Sequence, residues 1–204
     1  MGGIPSGCRI TRRETPPPLS GRFGFIRARE YLRRDFAYRC AYCQIHETRA
    51  GGPEHFSTYH FQPRSKGGPV NDYSNLYWCC TGCNGFKSDH WPTEIEAAGG
   101  YRYADPCREQ DYGAHFVEEE TGRLVALTNC GTYHLARLRL NRPSRLVARR
   151  ERSEISQRLM TIRDLIAQIE HRGVFMTEAQ AIVRISEVIS TLESQLATSI
   201  PPFI

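Results

Sequence analysis

The chain is predicted to fold as an α+β protein: a small metal-stapled unit of two strands and a helix, extended on both sides by further elements. Three observations predict it. Two C-x-x-C pairs, Cys40 with Cys43 and Cys80 with Cys83, enclose a stretch dense in Gly, Asn, His and aromatic residues. Within that stretch the short apolar runs STYHF and LYW suit brief strands. From Ser144 onward, apolar residues recur at helical spacing.

Residues 1–24 hold the run Pro16, Pro17, Pro18 and the basic residues Arg9, Arg12, Arg13 and Arg22, which read as an extended basic arm. FIRAREYLRRD follows, with Phe25, Ile26, Ala28, Tyr31 and Leu32 near one helical face and arginines on the others, so a short amphipathic helix completes a unit at 1–35. Residues 36–92 form the cysteine-bearing module. A segment so short and polar buries little apolar area, and a metal staple supplies what its core lacks.

Residues 93–143 mix turn signals at Gly99, Gly100, Asp105, Pro106 and Gly113 with strand-like stretches at His115 to Val117 and Arg123 to Leu127 around EEETG, which predicts an irregular β extension. Pro143 and Ser144 then read as a helix start. Leu146, Val147, Ile155, Leu159, Ile162, Leu165, Ile166 and Ile169 continue it, and Gly173 stops it. Thr177 and Glu178 open a second helix with Ile182, Val183, Ile185, Ile189, Leu192 and Leu196. The short link predicts an antiparallel helical hairpin over 144–204, outside the module, with its stripes packed on each other and on the module or offered to a partner. The closing PPFI leaves Phe203 and Ile204 with no evident core.

At 204 residues and 40% hydrophobic content the chain has enough apolar material for a globular core, which argues against global disorder. No signal-peptide pattern and no run of about eighteen apolar residues is present, which predicts a soluble cytoplasmic protein without membrane contact. Of eight cysteines, four fall at metal-knuckle spacing, and in a reducing compartment that favours zinc over disulfides. Four thiolates close a tetrahedral shell, so such a zinc is structural and has no open position for water. Cys8, Cys79, Cys107 and Cys130 lack regular spacing and read as plain thiols. The net charge of +5, carried mainly by arginine, permits nucleic-acid binding without establishing it.

Between the knuckles runs YHFQPRSKGGPVNDYSNLYWCCTGCNGFKSD. It resembles the HNH nuclease family, whose pattern is an acid followed by His, then P-x-S-x-G-G, then Asn-Leu, then C-x-x-C with His or Asn directly after. The resemblance covers about residues 36–92, and a weaker likeness to bacterial HNH proteins continues through GRLVALTNCGTYHLARLRLNRPSRLVARR. It implies a ββα-metal core in which His60 is the general base, Asn75 the middle residue of the motif, and Asn84 a ligand of a catalytic Mg²⁺ or Mn²⁺. The residue types suit the chemistry. Phosphodiester hydrolysis needs a neutral imidazole near pH 7, an oxygen ligand for a hard cation, and a group that holds the imidazole in one orientation. Arg64, Lys66 and Lys87 lie beside the motif as candidate phosphate contacts.

One position departs from the family. Tyr59 stands where an acid is usual, and a neutral phenol is a poor ligand for a hard cation. Three outcomes stay open: Glu54, Asp72 or Asp89 compensates; Asn84 and water hold the ion alone; or catalysis has been lost. Glu54, His55 and Phe56 mimic the motif locally, but no P-x-S-x-G-G follows them. His46, His90, His115, His134 and His171 receive no site role. The resemblance implies metal-dependent hydrolysis of DNA, with RNA also open, as in bacterial restriction, homing and antiphage-defence nucleases. Such proteins often work beside a second subunit such as an ATPase, for which the C-terminal helices are the candidate dock. The alternatives are a non-catalytic nucleic-acid-binding module and a partner-docking scaffold.

Overall fold

A computed structural model of the chain describes residues 10–21, 24–109, 112–172 and 176–201. Part of the expected arm, with Cys8, Arg9 and Arg22, lies outside the described residues, as do Gly173 and the terminal Phe203 and Ile204. The described part of the arm is tied down rather than free. Ile10 is buried and its amide donates to the Pro106 carbonyl at 2.9 Å. Arg12 lies over the Phe36, Tyr73 and Tyr77 rings and donates to the carbonyls of Tyr73 and Leu76. Arg13 pairs with Asp35 at 2.8 Å.

The predicted first helix forms as two short pieces, α1 (Gly24–Arg27) and α2 (Arg29–Asp35). Ala28 and Leu32 are buried as expected, whereas Ile26 and Tyr31 point to solvent. Strands β1 (Phe56–His60) and β2 (Leu76–Cys80) pair antiparallel, with Phe56 opposite Cys80 and His60 opposite Leu76. Every residue of β2 is buried, because α2 and α3 (Thr81–Lys87) also pack on it; Trp78 stacks on Phe56 and Tyr77 on Phe61. β2 runs directly into α3, so the last strand residue, Cys80, caps the helix that carries Cys83.

Residues 93–143 correct the sequence reading. The irregular hairpin is present as β3 (Phe116–Glu118) and β4 (Leu124–Ala126), following α4 (Glu94–Ala98), but a further helix, α5 (Asn129–Leu138), follows it. Thr93 and Glu96 form a reciprocal capping box on α4. Thr128 caps α5 by accepting from the Gly131 amide, and Cys130, Tyr133, His134 and Leu138 turn inward at helical spacing.

The two long helices, α6 (Pro143–Arg172) and α7 (Met176–Thr198), pack on each other. Arg163 pairs with Glu193, and Arg152 donates to the Ile200 carbonyl, a register only an antiparallel pair gives. The expected boundary at 143/144 does not isolate them. Ile200 is buried in the core and Arg39 donates to the Ser199 carbonyl. Arg152 also pairs with Glu118, and the fully buried Arg149 donates to the carbonyls of Gly122 and Leu140 and to Asn141 Oδ1. The molecule is thus mixed helix and sheet, with two small sheets set among helices. Among the described residues no helix is long and apolar enough to cross a membrane.

Candidate functional site

Both cysteine knuckles are built by the backbone. In the first, the Gln44 amide donates to the Cys40 carbonyl and Gln44 itself takes a left-handed φ of 57°, turning the chain so that Cys40 and Cys43 face the same point. The second comes from the β2–α3 junction, where Cys80 and Cys83 are one helical turn apart. The four sulfur atoms lie within 4.8 Å of one another and all four residues are buried. This group can hold a metal ion such as zinc.

Without an ion one of the four sulfurs ionises readily. Burial alone would raise the Cys43 thiol, yet hydrogen bonds from Cys40, Cys80 and Cys83 pull it well below the usual range, while burial holds Cys40 above it and the neighbouring sulfurs hold Cys80 and Cys83 above it. A multivalent cation is what lets all four ionise together. Arg142 Nη2 donates to Cys83 Sγ at 3.3 Å, and Arg145 and Arg149 are buried nearby with Cys43 among their charge partners. Three guanidinium groups suit the net negative charge of a tetrathiolate zinc centre. The cysteines without an expected role stay outside the group: Cys79 and Cys130 are buried, Cys107 half-buried, and Cys79 Sγ sits 3.9 Å from Cys40 Sγ.

His60 ends β1. Its Nε2 lies 2.9 Å from the Val70 carbonyl oxygen, which can only accept, so in the neutral ring the proton sits on Nε2 and Nδ1 keeps its lone pair. Burial is the main cause holding this imidazole below its ordinary pKa, with Arg64 and Lys87 adding to it. The Val70 carbonyl is placed by Asn75. The buried Asn75 amide accepts from the Gln62 amide and donates to the carbonyls of Gln62 and Pro69, knotting the loop between the strands. Asn75, expected in the catalytic set, makes no hydrogen bond to His60 and is tied to it through that loop. The Phe25 ring lies 5.7 Å from the imidazole.

A cavity of about 470 Å³ opens beside His60, lined by Tyr59, His60, Pro63, Arg64, Ser65 and Asp89. Arg64 and Lys66 are exposed, on the short helical turn Arg64–Lys66, and Arg64 faces the cavity. Lys87 corrects the sequence reading: it is wholly buried, and Nζ lies 4.8–5.4 Å from the ring centres of Tyr59, Trp91 and Tyr103 with no hydrogen-bond partner. Burial pushes its pKa down to about 7, and it contacts no solvent from which a phosphate could approach. Asn84 is half-buried, donates to Ser57 Oγ at 3.1 Å, and is not among the residues lining the cavity. The Tyr59 hydroxyl donates to the Ser88 carbonyl, and burial raises its pKa, so it stays a neutral phenol.

Of the carboxylates weighed against the missing acid, Asp72 caps the Ser74 amide and Glu54 folds back over Gly52, whereas Asp89 lines the cavity. A donor set of one carboxylate, a serine hydroxyl and water fits Mg²⁺ or Mn²⁺, ions that keep several waters and take only one or two protein carboxylates. The sequence reading does not single out the arginines at 142, 145 and 149; their signal is the N-R-P-S-R-L-V-A-R stretch inside the weaker likeness. Glu109, His115 and Cys130 also bring three ligand atoms within 4.8 Å of one another. That network is already closed: Arg102 binds Glu109 at 2.7 and 3.1 Å, and His115 bridges Glu109 and Thr128. Comparison of the chain with protein families, with curated proteins and with solved structures finds no match.

Proposed function

We propose that the chain is a metal-dependent HNH-type endonuclease that hydrolyses phosphodiester bonds of DNA on a zinc-stapled ββα-metal core. One observation carries the reading. An asparagine-knotted loop commits His60 Nε2 to a carbonyl and leaves the lone pair on Nδ1, in a residue that lines a cavity together with Arg64. His60 takes the proton of the attacking water, Asn75 keeps the Val70 carbonyl in place, and Arg64 and Lys66 bind backbone phosphates. The loading ion, when bound, neutralises charge developing on the phosphate and the leaving oxygen. Exposed Met160, Leu165, Val183 and Val188 on the long helices are where a protein partner such as an ATPase subunit of a defence system would dock.

The test is plasmid cleavage with Mg²⁺, Mn²⁺ or EDTA, on wild type and His60→Ala, with single-stranded DNA and RNA as parallel substrates. Divalent-dependent cutting that falls by roughly 10²- to 10⁴-fold in His60→Ala, at equal zinc content, is expected. No cutting of any substrate with any ion overturns the nuclease reading. The hydroxyl of Tyr59, engaged with Ser88, favours one second reading, a non-catalytic nucleic-acid-binding module. Salt-sensitive binding without cleavage is its signature.

A further inference from the structure

We propose that Asp89 is the carboxylate ligand of a divalent cation in the His60 cavity, supplying from the end of α3 what Tyr59 cannot supply from β1. The inference rests on the nuclease reading and names the ion's site within it.

Among the six residues lining the cavity, Asp89 is the one carboxylate. Its side chain makes no hydrogen bond or ion pair among the described residues, although the exposed Arg64 lines the same space. Glu54 lies in the turn before β1, so close over Gly52 that a Cβ there would meet Glu54 Oε2 at 2.5 Å. Asp72 is spent on the Ser74 amide at 2.8 Å. A carboxylate held by no hydrogen bond or ion pair is what a cation can use, and His60, the proposed base, lines the same cavity.

The backbone that presents Asp89 is unusual for its sequence. The amide of His90 donates to the Lys87 carbonyl at 3.0 Å and closes a tight turn, in which Ser88 has φ 42° and ψ −137°. That is near the first central position of a type II′ turn, which glycine normally fills, and a serine there costs on the order of 1 kcal/mol. Surrounding contacts hold it. The Ser88 amide donates to the Asn84 carbonyl, the Ser88 carbonyl accepts from Tyr59, and Lys87 is sunk among Tyr59, Trp91 and Tyr103. Tyr59 therefore acts as a latch: it replaces an acid on β1 and anchors the turn that aims another acid into the same cavity. A hard cation held by one carboxylate, with water and substrate phosphate filling the remaining positions, is the usual manner of Mg²⁺. Asn84, outside the cavity, is not needed as a direct ligand.

The experiment titrates Mn²⁺ into zinc-loaded full-length protein without nucleic acid and follows free Mn²⁺ by electron paramagnetic resonance. One ion per chain is expected in wild type, with affinity reduced roughly tenfold or more in Asp89→Asn and unchanged within about twofold in Glu54→Gln. Zinc content and circular dichroism are measured on each sample. Equal Mn²⁺ affinity in wild type and Asp89→Asn overturns the proposal, as does a wild type that binds no Mn²⁺. Should Asp89→Asn misfold, wild type alone decides. Fe²⁺ with ascorbate and peroxide must cut the backbone near residues 60 and 89, and scission only elsewhere overturns the site. DNA cleavage assayed in parallel separates the two readings. Mn²⁺ binding lost in Asp89→Asn with no cleavage by wild type keeps the ion site and removes the nuclease; cleavage with unchanged binding does the reverse.

Discussion

His60 and His134 are both pushed toward their neutral forms chiefly by burial, yet their surroundings differ. His60 lines a cavity, whereas His134 is fully buried, accepts from the Ala104 amide through Nδ1, and is pushed down to about 3. In the unfolded chain that ring takes up a proton near pH 6.5. Between 6.5 and 3 the unfolded state therefore binds more protons, and stability falls as pH drops through that window. At pH 5 the loss relative to pH 7 is about 2 kcal/mol. Denaturant unfolding at the two pH values should show that loss in wild type, and a shallower one in His134→Gln, whose amide oxygen can still accept from Ala104. Parallel losses would remove His134 as the cause and leave the zinc thiolates. At this scale the sequence singled out His60 and Asn75 by type and spacing, and the structure brings both to the loop between β1 and β2. The sequence did not reach the Val70 carbonyl or the burial of Lys87. Both depend on non-local closure: a loop knotted by Asn75, and three aromatic rings from three separate segments.

Between β1 and β2 the connecting loop is an element in its own right, and Gly68 is where it is tightest. A Cβ on Gly68 would meet the Gln62 carbonyl oxygen at 2.0 Å and its carbon at 2.7 Å. Gly68→Ala must push the loop outward and carry Val70 away from His60, while the cysteine group, which Cys80 joins at the far end of β2, stays intact. Under the nuclease reading, cleavage is expected to fall about 100-fold with zinc content unchanged, since misplacing a catalytic group by about 1 Å can cost that much. Wild-type rates in Gly68→Ala would mean that the Val70 contact does not position the base. Elements with a clean pattern were legible from sequence: both strands of the module, the β3–β4 hairpin and the two long helices. α4 and α5 were not. α4 is short, and its T-x-x-E cap was its one local signal. α5 contains Gly131, a poor helix former, present because a side chain there would strike the His115 carbonyl oxygen at 2.3 Å. Tertiary packing chose that glycine, and local propensity then hid the helix.

For the whole molecule the arrangement of charge ties together parts that the sequence separates. The hairpin was expected to be an appendage because its helices are long, amphipathic and joined by a short link. Periodicity of that kind reports that a face is apolar but not what the first turns touch. Arg142, Arg145 and Arg149 enter the structure beside the cysteine cluster, and Arg149 is so deeply placed that burial pushes its pKa down to about 10. Buried guanidinium groups are stable only beside opposite charge; a metal held by four thiolates would supply it to Arg142 and Arg145, and Arg149 has Glu118 ahead of Cys43. The reverse also holds: the arginines lower the cost of concentrating thiolate charge. Removing the metal should therefore loosen the root of α6 as well as the knuckles, and removing α6 and α7 should weaken metal retention. A chain ending at Pro143 keeps all four cysteines and Arg142, but loses Arg145, Arg149, the Arg152–Glu118 pair and the Ile200 plug. It is expected to give up zinc to a chelator roughly tenfold faster or more than the full chain and to unfold at a lower denaturant concentration. Zinc release is followed with a chromogenic chelator under reducing conditions, alongside hydrogen exchange of full-length protein before and after chelation. In the full chain, loss of protection should reach residues 143–152 together with 40–43 and 80–83. If the shortened chain instead retains zinc as firmly as the whole, or the root of α6 stays protected once zinc is gone, the arginines do not couple the hairpin to the metal centre.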